Sequence, residues 1–198
     1  MFMTLLKQAT SGRHRALEAQ LPLLDPRLSR QDYQRFVCRF FGYYAPLEER
    51  LLAWPDWDAI GLDYRERHKT PRLVQDMAAL GGAPASQAQV ARCQALPETT
   101  TTAQVLGCLY VIEGATLGGQ IILKHLHANL GLTPASGASF FSGYGDQTGP
   151  RWQSFRATLA ALAQRVDADN DIIASANRTF ETIDAWLFPK PATRMTHP

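Results

Sequence analysis

The stretch TAQVLGCLYVIEGATLGGQIILKHLHANLG, residues Thr102–Gly131, decides the fold of this chain. Apolar residues recur in it at helical spacing on both sides of Gly114, Gly118 and Gly119. The pattern predicts one long helix that continues through the glycines and bends there. A glycine inside a helix costs about 1 kcal/mol relative to alanine, so three within six residues indicate a specific role.

Two roles for these glycines follow from the sequence. Gly114 and Gly118 form a small-xxx-small pattern, which lets two helices pack closely. A glycine also lets the backbone approach a large flat ligand, because no side chain stands between them. The sequence leaves both interpretations open.

Composition limits the class of protein. The 198 residues are enough for one domain, and 45% hydrophobic with 19% charged residues suits a globular fold. The net charge of +2 and the absence of a Lys/Arg block argue against a nucleic-acid partner. Three scattered cysteines predict neither a zinc ribbon nor a disulfide framework. We expect no signal peptide, no membrane-spanning run and a cytoplasmic location.

The remaining chain predicts an all-α protein, because no stretch alternates like a strand. A single domain is expected over residues 1–188, followed by a flexible tail at 189–198. Glycine-rich residues 131–149 predict a long loop. The other expected helices cover residues 3–21, 29–53, 70–81 and 86–96, with two more that start at Pro150 and Asp169.

His14 and Glu18 lie four residues apart on the first predicted helix, hence on the same face. A carboxylate at this spacing can orient a metal-binding imidazole by accepting a hydrogen bond from it. The alternative is an exposed pair on a polar helix face. Lys7, two turns before His14, and Arg178 on the last helix can meet a ligand carboxylate, or they are solvated surface charges. His68 is expected to be solvated in a charged turn.

Common catalytic signatures are missing from the sequence. It contains no HExxH, GxSxG, P-loop or GxGxxG motif that follows a strand. It also contains no Glu-x-x-His pair of the kind found in di-iron bundles. Cys108 has no base at a recognisable spacing, so a thiol nucleophile is not indicated.

The His14/Glu18 pair together with EGATLGGQIILK at residues 113–124 resembles the heme oxygenases. The central segment is similar to the bacterial branch often found with bacteriophytochromes. The resemblance covers the whole chain in order and length. It implies an all-α, single-domain helical bundle in which heme lies between a proximal helix and a kinked, glycine-rich distal helix.

The resemblance also implies roles for individual residues. His14 matches the proximal iron ligand and Glu18 its carboxylate partner. Lys7 matches a cation that pairs with a heme propionate, and Arg178 aligns as a second one. The distal matches are Gly114, Gly118, Gly119 and Gln120, with Tyr110 one residue out of register with a family tyrosine.

One departure from the family concerns the distal side. Animal-type members have an aspartate directly after the first glycine, where this chain has Ala115. Their upstream arginine corresponds to Val111. The proton-delivery network is therefore expected to use other groups, such as backbone and Thr116.

The implied activity is O2- and electron-dependent cleavage of heme to biliverdin, CO and ferrous iron. Without a flavin or nucleotide motif, electrons are expected from a ferredoxin or a flavin reductase. The product can supply the chromophore of a bacteriophytochrome, or the reaction can serve iron acquisition, and the sequence leaves both roles open. Two alternatives remain: a non-catalytic heme-binding or heme-transfer protein on the same scaffold, and a thiaminase-type hydrolase, which needs a cysteine nucleophile in its pocket.

Overall fold

The structure of the protein is a computed structural model that describes residues 1–81 and 87–189. These residues form seven α-helices joined by short 3-10 turns and contain no strand, so the predicted all-α fold is confirmed. The predicted tail lies, from residue 190 onward, outside the described residues. The helices are α1 (Phe2–Gln20), α2 (Arg30–Leu52), α3 (Trp57–Ile60), α4 (Thr70–Leu80), α5 (Thr102–Leu130), α6 (Thr148–Val166) and α7 (Asp169–Leu187).

Helix α5 runs without a break through its glycines, as predicted. It begins with a capping box. The Thr101 side chain accepts from the Gln104 backbone N–H, and the Gln104 side chain accepts from the Thr101 backbone N–H. It ends at Gly131, whose positive φ of 64° is the left-handed conformation that glycine adopts most easily. The first half of the helix is buried, so α5 forms the centre of the molecule.

Helix α5 packs closely against α7 at Gly107. A Cβ at this position would collide with the Ile172 carbonyl oxygen and lie 2.6 Å from the Ser175 Cβ. Gly107 is therefore the glycine of α5 that permits close helix packing. The first half of α5 packs against α7 at Gly107, and the second half of α5 extends beyond this contact.

The helices around α5 complete the core. Ser29 caps α2, because its hydroxyl oxygen accepts from the Asp32 backbone N–H. Helix α2 packs on α4 and α7, and α1 packs on α7. As a result, α1 and the glycine-containing half of α5 lie on the same side of the molecule.

Two expected elements differ from the structure. The short helix predicted over residues 86–96 is absent from 87–96, where only Gln87–Gln89 forms a 3-10 turn. This segment instead packs on α2, because the Cys93 N–H donates to the Gly42 carbonyl oxygen at 2.8 Å. The loop predicted at 131–149 contains three 3-10 turns, at Pro134–Ser136, Phe140–Ser142 and Gly145–Gln147.

Among the described helices, α5 is long and apolar enough to span a membrane by composition. The expectation was that no apolar run is long enough for a membrane span, and length with composition alone does not show that α5 enters a membrane. More than half of the most apolar window of α5 is buried inside the protein. Its composition is accounted for by its place at the centre of the core.

Candidate functional site

A cavity of about 1050 Å³ opens between α1 and the second half of α5. Its size reaches the upper end of the range of about 300–1,000 Å³ found for small-molecule sites. Helices α6 and α7 and the segment 140–144 close its other sides. The lining is mainly apolar and includes Met3, Leu17, Leu21, Phe40, Leu117, Ile121, Ile122, Phe140, Phe141, Trp152, Phe180 and Ile183.

His14 and Glu18 both line this cavity from α1. The His14 Nε2 lies 3.4 Å from the Glu18 Oε1, so the two side chains share a face as their spacing predicted. The imidazole stands edge-on to the Phe180 ring, with 5.7 Å between ring centroids, and its side chain is half exposed. The imidazole has two ring nitrogens, so one can contact Glu18 while the other is left to bind a metal.

The three glycines of α5 have different surroundings. A Cβ on Gly118 would have nothing within 4 Å, and Gly118 lines the cavity. A Cβ on Gly114 would touch the Trp152 ring at 3.4 Å. A Cβ on Gly119 would lie 2.9 Å from the Phe141 carbonyl oxygen. Gly118 thus keeps the cavity open, while Gly119 admits the backbone of the segment that covers α5.

Cationic side chains line the cavity at several points. Lys7 is among them, together with Arg15, Arg72 and Arg156. Arg178 does not line it: this side chain is 59% exposed on α7 and pairs with Glu181 at 3.3 Å. The structure therefore favours Arg156 over Arg178 as a ligand-facing cation. A sequence signal was present, because Trp152 and Arg156 are four residues apart on one face of α6.

Tyr110 lines the cavity from α5 and lies 5.9 Å from the Trp152 ring, measured between centroids. Ala115, Thr116 and Val111 line it from the same helix. The Thr116 hydroxyl donates back to the Glu113 carbonyl oxygen at 2.6 Å. Gln120 points elsewhere, since its amide donates to the Ser142 carbonyl oxygen and fastens the covering segment.

A buried group of charges beside the glycines was not identified from the sequence. We call Arg67, Lys69, Glu113 and Tyr144 the Glu113 cluster. The Glu113 carboxylate is 1% exposed; it accepts from Arg67 at 2.6 Å, from the Lys69 ammonium and from the Tyr144 hydroxyl at 2.9 Å. Lys69 and Tyr144 also line the cavity. The available signal was Glu113 itself, a lone acid in an apolar helix, because a buried charge needs partners.

The electrostatics of the cluster are set by these partners. Burial acts to raise the pKa of Glu113, but Lys69 and Arg67 outweigh it and hold the pKa below its ordinary value. Burial acts to lower the pKa of Lys69, and Glu113 reverses this, so the pKa is raised. Glu113 and Lys69 are therefore an ion pair and not two neutral side chains.

The turn that supplies Arg67 and Lys69 is held by a second buried acid. The fully buried Glu48 carboxylate accepts from the Tyr64 hydroxyl at 2.6 Å and from the Lys69 N–H at 2.9 Å. His68 Nε2 lies 3.3 Å from it, and the His68 side chain is 29% exposed. The expectation of a solvated His68 was therefore wrong, because the turn that contains His68 packs against the buried Glu48 carboxylate.

These features fit a large, flat, apolar ligand that carries a metal and carboxylates. The cavity has the volume, Gly118 leaves one wall free of a side chain, and cations lie along the lining. Within the described residues, no three His, Cys, Asp or Glu side chains gather to hold a metal ion. A metal beside His14 would thus take its other ligands from the bound molecule, as heme iron does.

Comparison with known proteins gives the same class. The family model described as heme oxygenase matches residues 1–188. A protein named heme oxygenase from Xanthomonas campestris pv. campestris (strain 8004) is 30% identical over 149 residues, which are 75% of this chain and 84% of that protein. The solved structure of heme oxygenase from Leptospira interrogans has the same fold, with a TM-score of 0.75 at 19% identity over 94% of this chain and 98% of that one.

Proposed function

Because the chain belongs to the heme oxygenase family, whose members are enzymes of heme degradation, we propose that it cleaves heme to biliverdin, CO and ferrous iron. The reaction would use O2 and external electrons. The observation that supports this most directly is that His14 on α1 and the side-chain-free Gly118 on α5 line one cavity of about 1050 Å³. An imidazole and an open backbone on facing helices are what a bound metalloporphyrin requires.

When bound, heme supplies the iron at which O2 is activated, and its own macrocycle is the substrate. His14 would hold the iron as a neutral ligand, and Glu18 would fix the tautomer and orientation of its imidazole. Gly114 and Gly118 would let α5 lie against the opposite face of the ring. Any side chain at Gly118 would occupy the space that the ring needs.

The carboxylates of the substrate would be held by cavity-lining cations. Lys7 on α1 and Arg156 on α6 are the candidates, because both line the cavity on helices beside His14 and the glycines. A guanidinium binds a carboxylate in a bidentate geometry, which fixes orientation as well as charge. We therefore assign one propionate to Arg156 in place of Arg178.

Electrons would come from a ferredoxin or a flavin reductase, since the sequence has no nucleotide-binding motif. We propose a cytoplasmic location, which the three free cysteines of the described chain support, because thiols persist in reducing compartments. We also propose that the biliverdin supplies a bacteriophytochrome, on the likeness of residues 113–124 to that branch.

A heme-binding or heme-transfer protein is the second candidate. It is favoured by one observation: Val111 and Ala115, which line the cavity, carry no donor where animal-type members have arginine and aspartate. A thiaminase-type hydrolase is disfavoured by Cys108. This thiol is fully buried away from the cavity, and burial raises its pKa to about 12, which disfavours the nucleophilic thiolate.

The test is a titration of the purified protein with hemin, followed by ascorbate in air with catalase present. We expect a Soret band to form at one equivalent and to decay as biliverdin absorption grows. A band that persists under ascorbate and also under a ferredoxin–reductase pair would establish the heme-binding alternative. Absence of any band would reject both.

A further inference from the structure

The side of the cavity next to the glycines has one set of polar groups that the roles above do not use. Val111 and Ala115 present no donor or acceptor there, and the Thr116 hydroxyl is taken by the Glu113 carbonyl oxygen. The remaining polar side-chain atoms include those of Lys69 and Tyr144. Both belong to the Glu113 cluster, and Glu113 directly precedes Gly114.

Contacts from several elements fix the Tyr144 hydroxyl. It donates to the Glu113 carboxylate at 2.9 Å, and the Lys69 ammonium lies 3.4 Å from it. The Arg151 guanidinium lies over the Tyr144 ring, 4.7 Å from its centroid, and Arg72 donates to the carbonyl oxygen of Gly143. The Tyr144 side chain also lines the cavity, where its oxygen can accept a hydrogen bond from a water.

The cluster has a defined charge. Arg67 and Lys69 are positive and Glu113 is negative, and the buried Glu48 carboxylate that accepts from the Lys69 N–H balances the remaining positive charge. Arg151 and Arg72 add positive charge around Tyr144. A water molecule held here would lose a proton more easily than in bulk, because nearby positive charge stabilises the hydroxide form.

We propose that the Glu113 cluster is the polar anchor of the heme face opposite His14. In this arrangement Glu113 and Lys69 position the Tyr144 hydroxyl, and Tyr144 holds the water through which protons enter on that face. Tyr144, Glu113 and Lys69 are thus positioning residues for the reaction. The inference rests on the proposed function, and it gives this chain a substitute for the aspartate that Ala115 replaces.

The competing explanation is structural. Tyr144 belongs to the connection between α5 and α6, and its bond to Glu113 fastens that connection to the core. Tyr33 offers a matched control: its hydroxyl donates to the Gly137 carbonyl oxygen of the same connection at 2.8 Å, and it does not line the cavity. Tyr33→Phe removes a buried tyrosine bond without touching the cavity.

The experiment titrates the hemin complexes of the wild type, Tyr144→Phe and Tyr33→Phe with base and follows the change in absorption of the ferric heme. We expect Tyr144→Phe to bind hemin within about threefold of the wild type and to form biliverdin about tenfold or more slowly. The titration midpoint should move down by at least about 0.5 pH unit, because the Tyr144 oxygen accepts from the water and so stabilises it over the hydroxide. Tyr33→Phe should lower the melting temperature and leave the midpoint in place.

A second pair of variants tests the sign of the charge effect. Lys69→Met removes a positive charge and should raise the midpoint, whereas Glu113→Gln removes a negative charge and should lower it. Tyr144→Phe with wild-type midpoint and turnover, while the wild type degrades heme normally, would overturn this inference alone and leave the cluster a structural device. A wild type that binds no hemin would overturn the proposed function itself.

Discussion

The carbonyl oxygen of Phe141 lies 2.9 Å from the position that a Cβ on Gly119 would occupy. The neighbouring Gly118 has no atom within 4 Å of the same position. Two adjacent glycines of α5 thus have different roles. Gly118 is open toward the cavity, and Gly119 contacts the backbone of the segment that covers the helix. Substitutions at the two positions should therefore fail in different ways.

Gly119→Ala should destabilise the fold. Alanine has a helix propensity about 1 kcal/mol more favourable than glycine. However, the new methyl group would meet the backbone of Phe141, which moves less easily than a side chain, and such overpacking costs about 1–3 kcal/mol. We expect the free energy of unfolding in urea to fall by about 1 kcal/mol. The control is Gly12→Ala in α1, where the methyl group meets nothing within 4 Å, so stability should rise. Equal effects at both positions would contradict the packing role.

Gly118→Leu should abolish hemin binding while the fold survives. The leucine side chain points into the cavity, where it displaces ligand and no core atom. We expect a melting temperature at or above that of the wild type and at least about a hundredfold weaker hemin binding, the equivalent of about 2.7 kcal/mol. Normal hemin affinity in the folded variant would show that the ring does not approach α5 at this residue.

Arg156→Ala and Arg178→Ala separate the two candidate partners of a heme propionate. Arg156 lines the cavity, whereas Arg178 pairs with Glu181 on the surface, so we expect only Arg156→Ala to weaken hemin binding, by about tenfold. Hemin dimethyl ester has no free carboxylates and should bind both variants alike. A loss at Arg178 with none at Arg156 would restore the sequence-based assignment.

Asp76 makes stability depend on pH through the segment that covers the cavity. Its buried carboxyl accepts from the Ser139 and Phe140 N–H groups, at 2.6 and 2.8 Å, and Phe140 lines the cavity. Burial raises its pKa from 3.8 to about 6, although both N–H bonds oppose this. Between these two values the folded protein binds more protons than the unfolded chain, so stability falls as the pH rises.

The measurement for Asp76 is urea unfolding of the wild type and Asp76→Asn at several pH values. The asparagine variant lacks this titration, so the free energy of unfolding of the wild type relative to it should drop by on the order of 1–2 kcal/mol between pH 4 and pH 7. A difference that stays constant over this range would mean that Asp76 is ionised throughout.

The elements that sequence predicted well are those fixed by local chemistry. The ends of α2 and α5 follow from Ser29, the Thr101–Gln104 box and Gly131, each of which acts within a few residues. The His14/Glu18 pair is also local, because four residues always bring two side chains to one helix face. Residues 87–96 were predicted wrongly because a long-range bond to Gly42 competes with the local helix.

The parts of the site that sequence did not predict depend on distant partners. Glu113 is 44 residues from Lys69 and 31 from Tyr144, so no spacing along the chain relates them. Arg178 and Arg156 both lie on helices that border the cavity, and only the rotation of each helix about its axis decides which one faces it. That rotation is set by core packing.

His14→Ala tests the assignment on which the proposed function depends. Since His14 is the histidine on the α1 wall of the cavity, its loss should remove the histidine-ligated spectrum of the hemin complex and most of the turnover. Its half-exposed side chain makes few core contacts, so the melting temperature should change little. Added imidazole should enter the space left by the side chain and restore both the spectrum and part of the turnover, which a general structural defect would not allow.

Glu18→Gln keeps the shape of the side chain and removes its charge, so it should retain the histidine-ligated spectrum and weaken hemin binding by about tenfold. An unchanged spectrum and rate in His14→Ala would mean that iron is held elsewhere in the cavity. In that case His68, which also lines it, is the next residue to replace.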